Sequence, residues 1–525
     1  MRRTLAVIFL SMASAASSAT NFTFSNTPGP YPVGFRVKAQ YDYSRSYKAK
    51  IDIVSGKPTS GERARPVQAL VWYPAQAKSQ AMVYRDYLAT GPSEDDPAID
   101  AASARRTLDA DVALYVSGDR VADGQREIMR PVWAQKGAPE RQGKFPVVIY
   151  AASFNAPAFE NTDLCEYLAS HGYVVISSRS LGAHSRSMTT DLEGAEAQAA
   201  DIAFLIGYAK SLPQADMDHI GVMGFSWGGL ANVLAAAKDD RIGALVSLDG
   251  SMRGFTQYVN GGKDAAKYVT PARVAVPLLY MARQRNSQEE LEQKKIDTTF
   301  SLMNRMKYSD VYIGTMNPMK HPDFSSLHLR FGDDAEFKEY SRDEASLAHS
   351  WVARYVRNFL DAYLKGDEQA RQFLNRTPAQ NKVPAHMMLF DARHGNGEPP
   401  TVQTFVKIVN AGGFEHAIEV YDRLHKESES FVFDEGWILT WGTELMRGGR
   451  PKEGVEVFKL ATHIYPDDAY MANALADAAE QAGQRELAIR SYRRALELNP
   501  KNENAVERLK ALESQVDVAK SQAAK

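Results

Sequence analysis

Between Arg65 and about Gly366 the chain alternates short apolar runs with stretches whose apolar positions recur every three or four residues. The first pattern predicts buried strands, the second helices, and their alternation predicts a mostly parallel sheet covered on both faces. VQALVWYP (Val67 to Pro74), KFPVVIYAAS (Lys144 to Ser153) and YVVISSRS (Tyr173 to Ser180) read as strands, with NTDLCEYLASHG between the last two as a helix ending at Gly172. AEAQAADIAFLIGYAKSLP reads as a long helix, and HIGVMGFSWGGLANVLAAA passes from strand through a turn at Ser226 into another. RIGALVSLDGS, ARVAVPLLYMA and SDVYIGTMNPMKHPDF supply further strands, and SWVARYVRNFLDAYLKG is a closing helix.

The pattern is interrupted twice. Residues 81–142 insert polar and helix-forming sequence, read partly as a cap over the sheet edge; residues 376–400, polar and carrying His394, Gly395, Gly397 and prolines, read as a linker. The fold class expected is therefore α/β over residues 20–375, followed by an all-α region over 401–515 and a tail, 516–525.

That second region repeats itself. Pro466 and Pro500 are 34 residues apart, and the same offset aligns Gly449 with Gly483, Phe458 with Tyr492, Ala461 with Ala495 and Ile464 with Leu498. A 34-residue period with these residue types resembles the tetratricopeptide repeat. NAGGFEHAIEVYDRL carries the same Gly-to-aromatic spacing, Gly412 to Tyr421, and implies a third, degenerate helix pair. The resemblance implies binding of a protein partner or self-association.

Composition narrows the function. Hydrophobic residues are 44% and charged residues 24%, as expected of a folded soluble chain. Lys plus Arg number 62 against 64 Asp plus Glu, a net charge of -2, so no global positive field draws nucleic acid. Cys165, the single cysteine, excludes an internal disulfide and a multi-cysteine metal site; it reads as a core thiol. At the N-terminus, Arg2 and Arg3 precede an apolar run from Leu5 to Leu10 and small residues through Ala19, which is signal-peptide order. Cleavage near Ala19 is expected, with no stable membrane span afterwards, because the apolar run is shorter than the ~20 residues that cross a bilayer. A periplasmic or secreted location follows.

The chemistry centres on GFSWGG, Gly224 to Gly229. Gly-x-Ser-x-Gly between a strand and a helix forms a turn tight enough to need glycines, and it lifts the serine above the sheet's C-terminal edge. Ser226 is the expected nucleophile, and the amide of Trp227 an oxyanion donor. A serine needs a histidine to take its proton and an acid to hold that histidine. His321, following the last strand in KHPDF, is favoured over His328. For the acid, the strand ending VPLLYMA is followed by Arg283, Gln284, Arg285, Asn286 and Ser287, with Glu289 and Glu290 only later, whereas Asp249 directly follows the preceding strand in LVSLDGS. Asp249 is the expected acid, although Asp-Gly is also a turn former.

This set, LASHGYVV, GFSWGG, LDGS and HPDF over roughly Val67 to Gly366, resembles the plasma-type platelet-activating factor acetylhydrolases and the dienelactone-hydrolase-related serine hydrolases of the α/β-hydrolase fold. The resemblance implies ester hydrolysis, an acid at the place of Asp249 and a histidine three residues before a Phe, as His321 precedes Phe324. Where that family carries a His-Gly pair after the strand ending at Tyr150, this chain has AASFN, so Phe154 is assigned as the second oxyanion amide. No metal or organic cofactor is implied; the expected substrate is a small-molecule ester. Two alternatives stay open: a peptidase or amidase with the same triad, and a non-catalytic partner-binding protein using the hydrolase lobe as scaffold.

Overall fold

The protein is described by a computed structural model covering residues 22–523, apart from 53–54, 77–78, 117–120, 260–265, 285–301, 338 and 430. The expected signal segment, 1–19, and Glu289 and Glu290 lie outside the described residues. The chain divides into two compact units, residues 1–396 and 397–525.

In the first unit the described residues form an eleven-stranded sheet: β1 (Val33–Ser46), β2 (Ala64–Pro74), β3 (Gln80–Val83), β4 (Pro131–Lys136), β5 (Phe145–Ala151), β6 (Val174–Ser178), β7 (Ala215–Phe225), β8 (Ile242–Leu248), β9 (Leu278–Arg283), β10 (Val311–Met316) and β11 (Met388–Arg393). Their spatial order is β11-β10-β9-β8-β7-β5-β6-β2-β1-β4-β3. The run from β6 through β5, β7, β8 and β9 to β10 is parallel throughout. β5 is buried at every position, because helices cover both faces of the central strands. One face packs under the long helix Arg342–Leu364, with Trp351, Val352, Tyr355, Val356 and Phe359 buried; the other packs under the helices Leu192–Ala209 and Trp227–Ala236.

The described residues of 81–142 include the helices α1 (Tyr84–Leu88), α2 (Ala101–Tyr115) and α3 (Val121–Ile128), but β3 and β4 bracket them and extend the sheet at its edge. The insertion is thus partly sheet. Three helices then follow the core strands, α4 (Thr162–Ser170), α5 (Leu192–Ala209) and α6 (Trp227–Ala236). Cys165 is fully buried in α4.

The linker expected over 376–400 is corrected by the structure. Met388–Arg393 pairs antiparallel with β10 from Met388 against Met316 to Arg393 against Val311. The amide of Asn317 donates to Met387 O at 2.9 Å, that of Gly395 to Asp310 Oδ1 at 2.9 Å and that of Asn396 to Lys307 O at 2.7 Å. The first unit therefore runs to Asn396 instead of residue 375. An edge strand offers a weak signal: only one flank is paired, and its outer residues, exposed from Asp391 onward, look like loop.

The second unit is made of helices: Val402–Gly412, Ala417–Glu427, Glu435–Arg447, Pro451–Ile464, Ala469–Gln481, Arg485–Leu498 and Glu503–Ala523. Positions 34 apart share an environment. Phe458 and Tyr492 are buried, as are Ala461 and Ala495, and Gly449 and Gly483 end their helices at φ +75° and +71°. The expected tail, 516–525, is helical as far as Ala523.

Candidate active site

Parallel strands carry their C-terminal ends to one edge, and three of those ends bring Ser226, Asp249 and His321 together. Ser226 stands between β7 and α6 with φ 53° and ψ -115°, a conformation that costs energy for any residue with a side chain. Surrounding hydrogen bonds hold it there: its amide donates to Leu248 O at 3.0 Å, and its carbonyl accepts from the amides of Ser251 at 2.8 Å and Gly229 at 3.0 Å. The glycines of the motif are demanded by space. A Cβ at Gly224 would lie 2.5 Å from Gly228 C, and one at Gly228 would lie 2.1 Å from Ala151 O.

His321 begins a short helical turn, His321–Phe324, after β10. Its Nε2 is 2.8 Å from Ser226 Oγ and its Nδ1 is 2.6 Å from Asp249 Oδ2. A carboxylate beside Nδ1 keeps the proton on that nitrogen and leaves Nε2 to accept from the serine hydroxyl. The ring lies 5.0 Å from that of Phe225, which fixes its height over the sheet.

Asp249 follows β8 directly, at φ 41°, with its amide donating to Met281 O at 2.6 Å. Arg283, at the end of β9, occupies the place where the sequence offers no acid. Its amide donates to Asp249 Oδ1 at 3.3 Å and its Nε lies 3.5 Å from Oδ2. His328, the alternative histidine, faces Asp323 at 3.5 Å and Glu336 at 3.6 Å instead of the serine.

Trp227 and Phe154, the residues expected to supply the oxyanion amides, lie close together. Trp227 is the first residue of α6, where helix amides have no intrahelical acceptor. The loop after β5 abuts this helix start, as the closeness of Ala151 O to Gly228 shows, and the Phe154 ring packs edge-on against Trp227 at 5.7 Å. In that loop the amide of Ala156 donates to Ser153 O at 3.1 Å, a turn that leaves the amide of its second residue, Phe154, outside the turn's own hydrogen bond. Arg179 Nη2 donates to Asn155 O at 2.9 Å, and its Nη1 pairs with the buried Glu94 at 2.8 Å.

Sequence reasoning missed Arg283, and it missed Glu160 and Asn161, which lie buried beneath the site. Standing just before α4, these two look in sequence like ordinary helix-cap residues. Among the described residues no group of three or more His, Cys, Asp or Glu side chains is placed to hold a metal ion, and no helix is long and apolar enough to cross a membrane.

A parallel sheet, a strained serine between strand and helix, and a histidine linked to an aspartate from the next strand define an α/β-hydrolase-type serine hydrolase. Residues 125–396, just over half of the chain, match the X-Pro dipeptidyl-peptidase (S15 family), and the chain belongs to that family. A ferulic acid esterase from Streptomyces cinnamoneus is a similar solved structure, with a TM-score of 0.44 and 19% identity over 66% of this chain and 94% of its own. No curated protein matches the chain.

Proposed function

We propose that the protein is an exported serine hydrolase that cleaves carboxylic esters through an acyl-enzyme, with Ser226, His321 and Asp249 as its triad. The observation that carries this reading is the unbroken chain of contacts from Ser226 Oγ through His321 to Asp249, at 2.8 and 2.6 Å. Ser226 Oγ attacks the ester carbonyl as its proton passes to His321 Nε2. Asp249 holds the imidazole and stabilises its cation, and the amides of Trp227 and Phe154 receive the charge that gathers on the carbonyl oxygen. His321 then gives its proton to the departing alkoxide, and a water activated by the same nitrogen releases the acid.

The family points to a second reading, cleavage of a dipeptide from a peptide N-terminus, and the same triad serves both. Holding a free α-amino group calls for an available carboxylate. The two buried carboxylates tied to the loop after β5 are engaged: Glu160 accepts from Ser153 and Tyr150, and Glu94 from Arg179 and the amide of Ala158. With the likeness of GFSWGG, LDGS and HPDF to ester hydrolases, this favours the ester. Turnover of p-nitrophenyl acetate against a Gly-Pro p-nitroanilide decides: faster amide cleavage would reverse the assignment.

Export rests on the order of Arg2, Arg3, the apolar run and Ala19, and N-terminal sequencing of the mature protein tests it. The helical unit is proposed as tetratricopeptide-like, holding a protein partner or a second copy of the chain.

A further inference from the structure

Beneath the site lies a buried polar pair that the triad does not use. Glu160 is 4% exposed and Asn161 fully buried, at the entry to α4. On one side the Glu160 carboxylate holds the loop after β5: Oε2 accepts from the amide of Ser153 at 2.9 Å and from Tyr150 Oη at 2.8 Å, and Oε1 accepts from Ser153 Oγ. Ser153 immediately precedes Phe154, whose amide is the second oxyanion donor of the proposed mechanism.

On the other side the same two residues hold the segment that follows His321. Glu160 O accepts from the amide of Leu327 at 3.1 Å and from Ser325 Oγ at 3.3 Å. Asn161 Nδ2 donates to Phe324 O at 2.9 Å and to Tyr150 Oη at 2.7 Å, while Asn161 Oδ1 accepts from the amide of Ser326 at 2.8 Å. Burial pushes the Glu160 carboxyl up, against the lowering effect of the Ser153 hydrogen bonds. A polar group is kept at such a depth only if its bonds are made, and a fully satisfied buried network fixes one geometry.

We infer that Glu160 is a positioning residue for the reaction: with Asn161 it fastens the loop bearing the Phe154 amide and the turn bearing His321 to one rigid point, setting the oxyanion donor and the general base in register. The inference rests on the function proposed above. It explains why a carboxylate under the site hydrogen-bonds to Ser153 and Tyr150 instead of to Ser226 or His321. Glutamine can replace it, its oxygen taking the Oε2 place and its NH2 donating to Ser153 Oγ, since a hydroxyl accepts as readily as it donates. Alanine cannot.

The test uses the full chain and p-nitrophenyl acetate. Glu160→Ala is expected to lower kcat by about 100-fold, the scale of losing one oxyanion donor, with KM within about twofold, and Glu160→Gln to restore kcat to within about fivefold of the native value. A folded Glu160→Ala with kcat within threefold of native overturns the inference, as does an equal loss in Ala and Gln variants, which would make the charge the essential feature. Should Glu160→Ala fail to fold, Ser153→Ala decides, since it removes one partly exposed hydroxyl from the same contact. A drop in kcat of about tenfold at unchanged KM then supports the inference, and native kcat overturns it. Ser226→Ala, run alongside, separates the two levels: loss of turnover there upholds the hydrolase reading whatever Glu160 does, and its retention overturns that reading first.

Discussion

A Cβ placed on Gly228 would stand 2.1 Å from the carbonyl oxygen of Ala151, so the first turn of α6 is pressed against the end of β5 with no room for a methyl group. This closeness brings the start of α6, which carries the Trp227 amide, against the end of β5, which leads into the loop carrying Phe154. Gly228→Ala must push the two backbones apart. We expect it to cost at least ~3 kcal/mol, beyond ordinary overpacking because the obstacle is backbone, and to abolish ester turnover even in the fraction that folds. Urea unfolding and turnover at low temperature check both.

The acid assignment is tested by contrast. Asp249→Asn should lower kcat by at least ~100-fold, because the imidazole loses the partner that fixes its tautomer. The double change Glu289→Gln, Glu290→Gln should leave turnover within about threefold of the native rate, as expected of changes outside the triad. His321→Ala should match Ser226→Ala, whereas His328→Ala, whose ring faces Asp323 and Glu336, should retain most activity.

Stability should depend on pH through His349. This imidazole is buried on the long helix, with Nε2 3.3 Å from Asn161 Oδ1, and burial pushes it down to about 4, against the raising effect of Asp163 and Asp323. The folded protein thus disfavours its charged form, while the unfolded chain protonates it near 6.5. Its contribution is complete above about pH 6.5 and is lost as the pH falls toward 4, amounting to roughly 3 kcal/mol. The thermal midpoint of the native protein should fall relative to that of His349→Phe as the pH drops from 7 to 4. A constant difference would show that His349 does not titrate in this window.

The unit boundary gives a further outcome. A chain ending after Asn396 keeps β11 on the edge of the sheet and should be soluble and hydrolyse a small ester at near-native rate, since each unit buries its own core. A chain ending after Asn375 strips β11 from β10 and exposes an unpaired strand, so we expect it to aggregate. Sedimentation and turnover of the two products distinguish them.

Much of this site was legible in sequence because its chemistry is local. GFSWGG places a strand, a tight turn and a helix within a few residues, and LDGS and HPDF each come shortly after an apolar run that reads as a buried strand. β1 and β11 were not legible. Their mixed burial gives neither a continuous apolar run nor a clean alternation, and β11 owes its place to pairing with β10. Glu160 and Asn161 were hidden for another reason. Their role lies in bonds to Ser153 at one side and to residues 324–327 at the other, and no spacing along the chain records a contact made across more than 160 residues.

The central claim, that Ser226 is the nucleophile of a working hydrolase, is tested most directly by treating the full chain with a fluorophosphonate and locating the adduct by mass spectrometry. The account predicts one adduct, on the peptide carrying Ser226, formed in step with loss of ester turnover, absent in Ser226→Ala and slowed by several orders of magnitude in His321→Ala. An unlabelled native protein, or an adduct on another residue that accompanies the loss of activity, would contradict it.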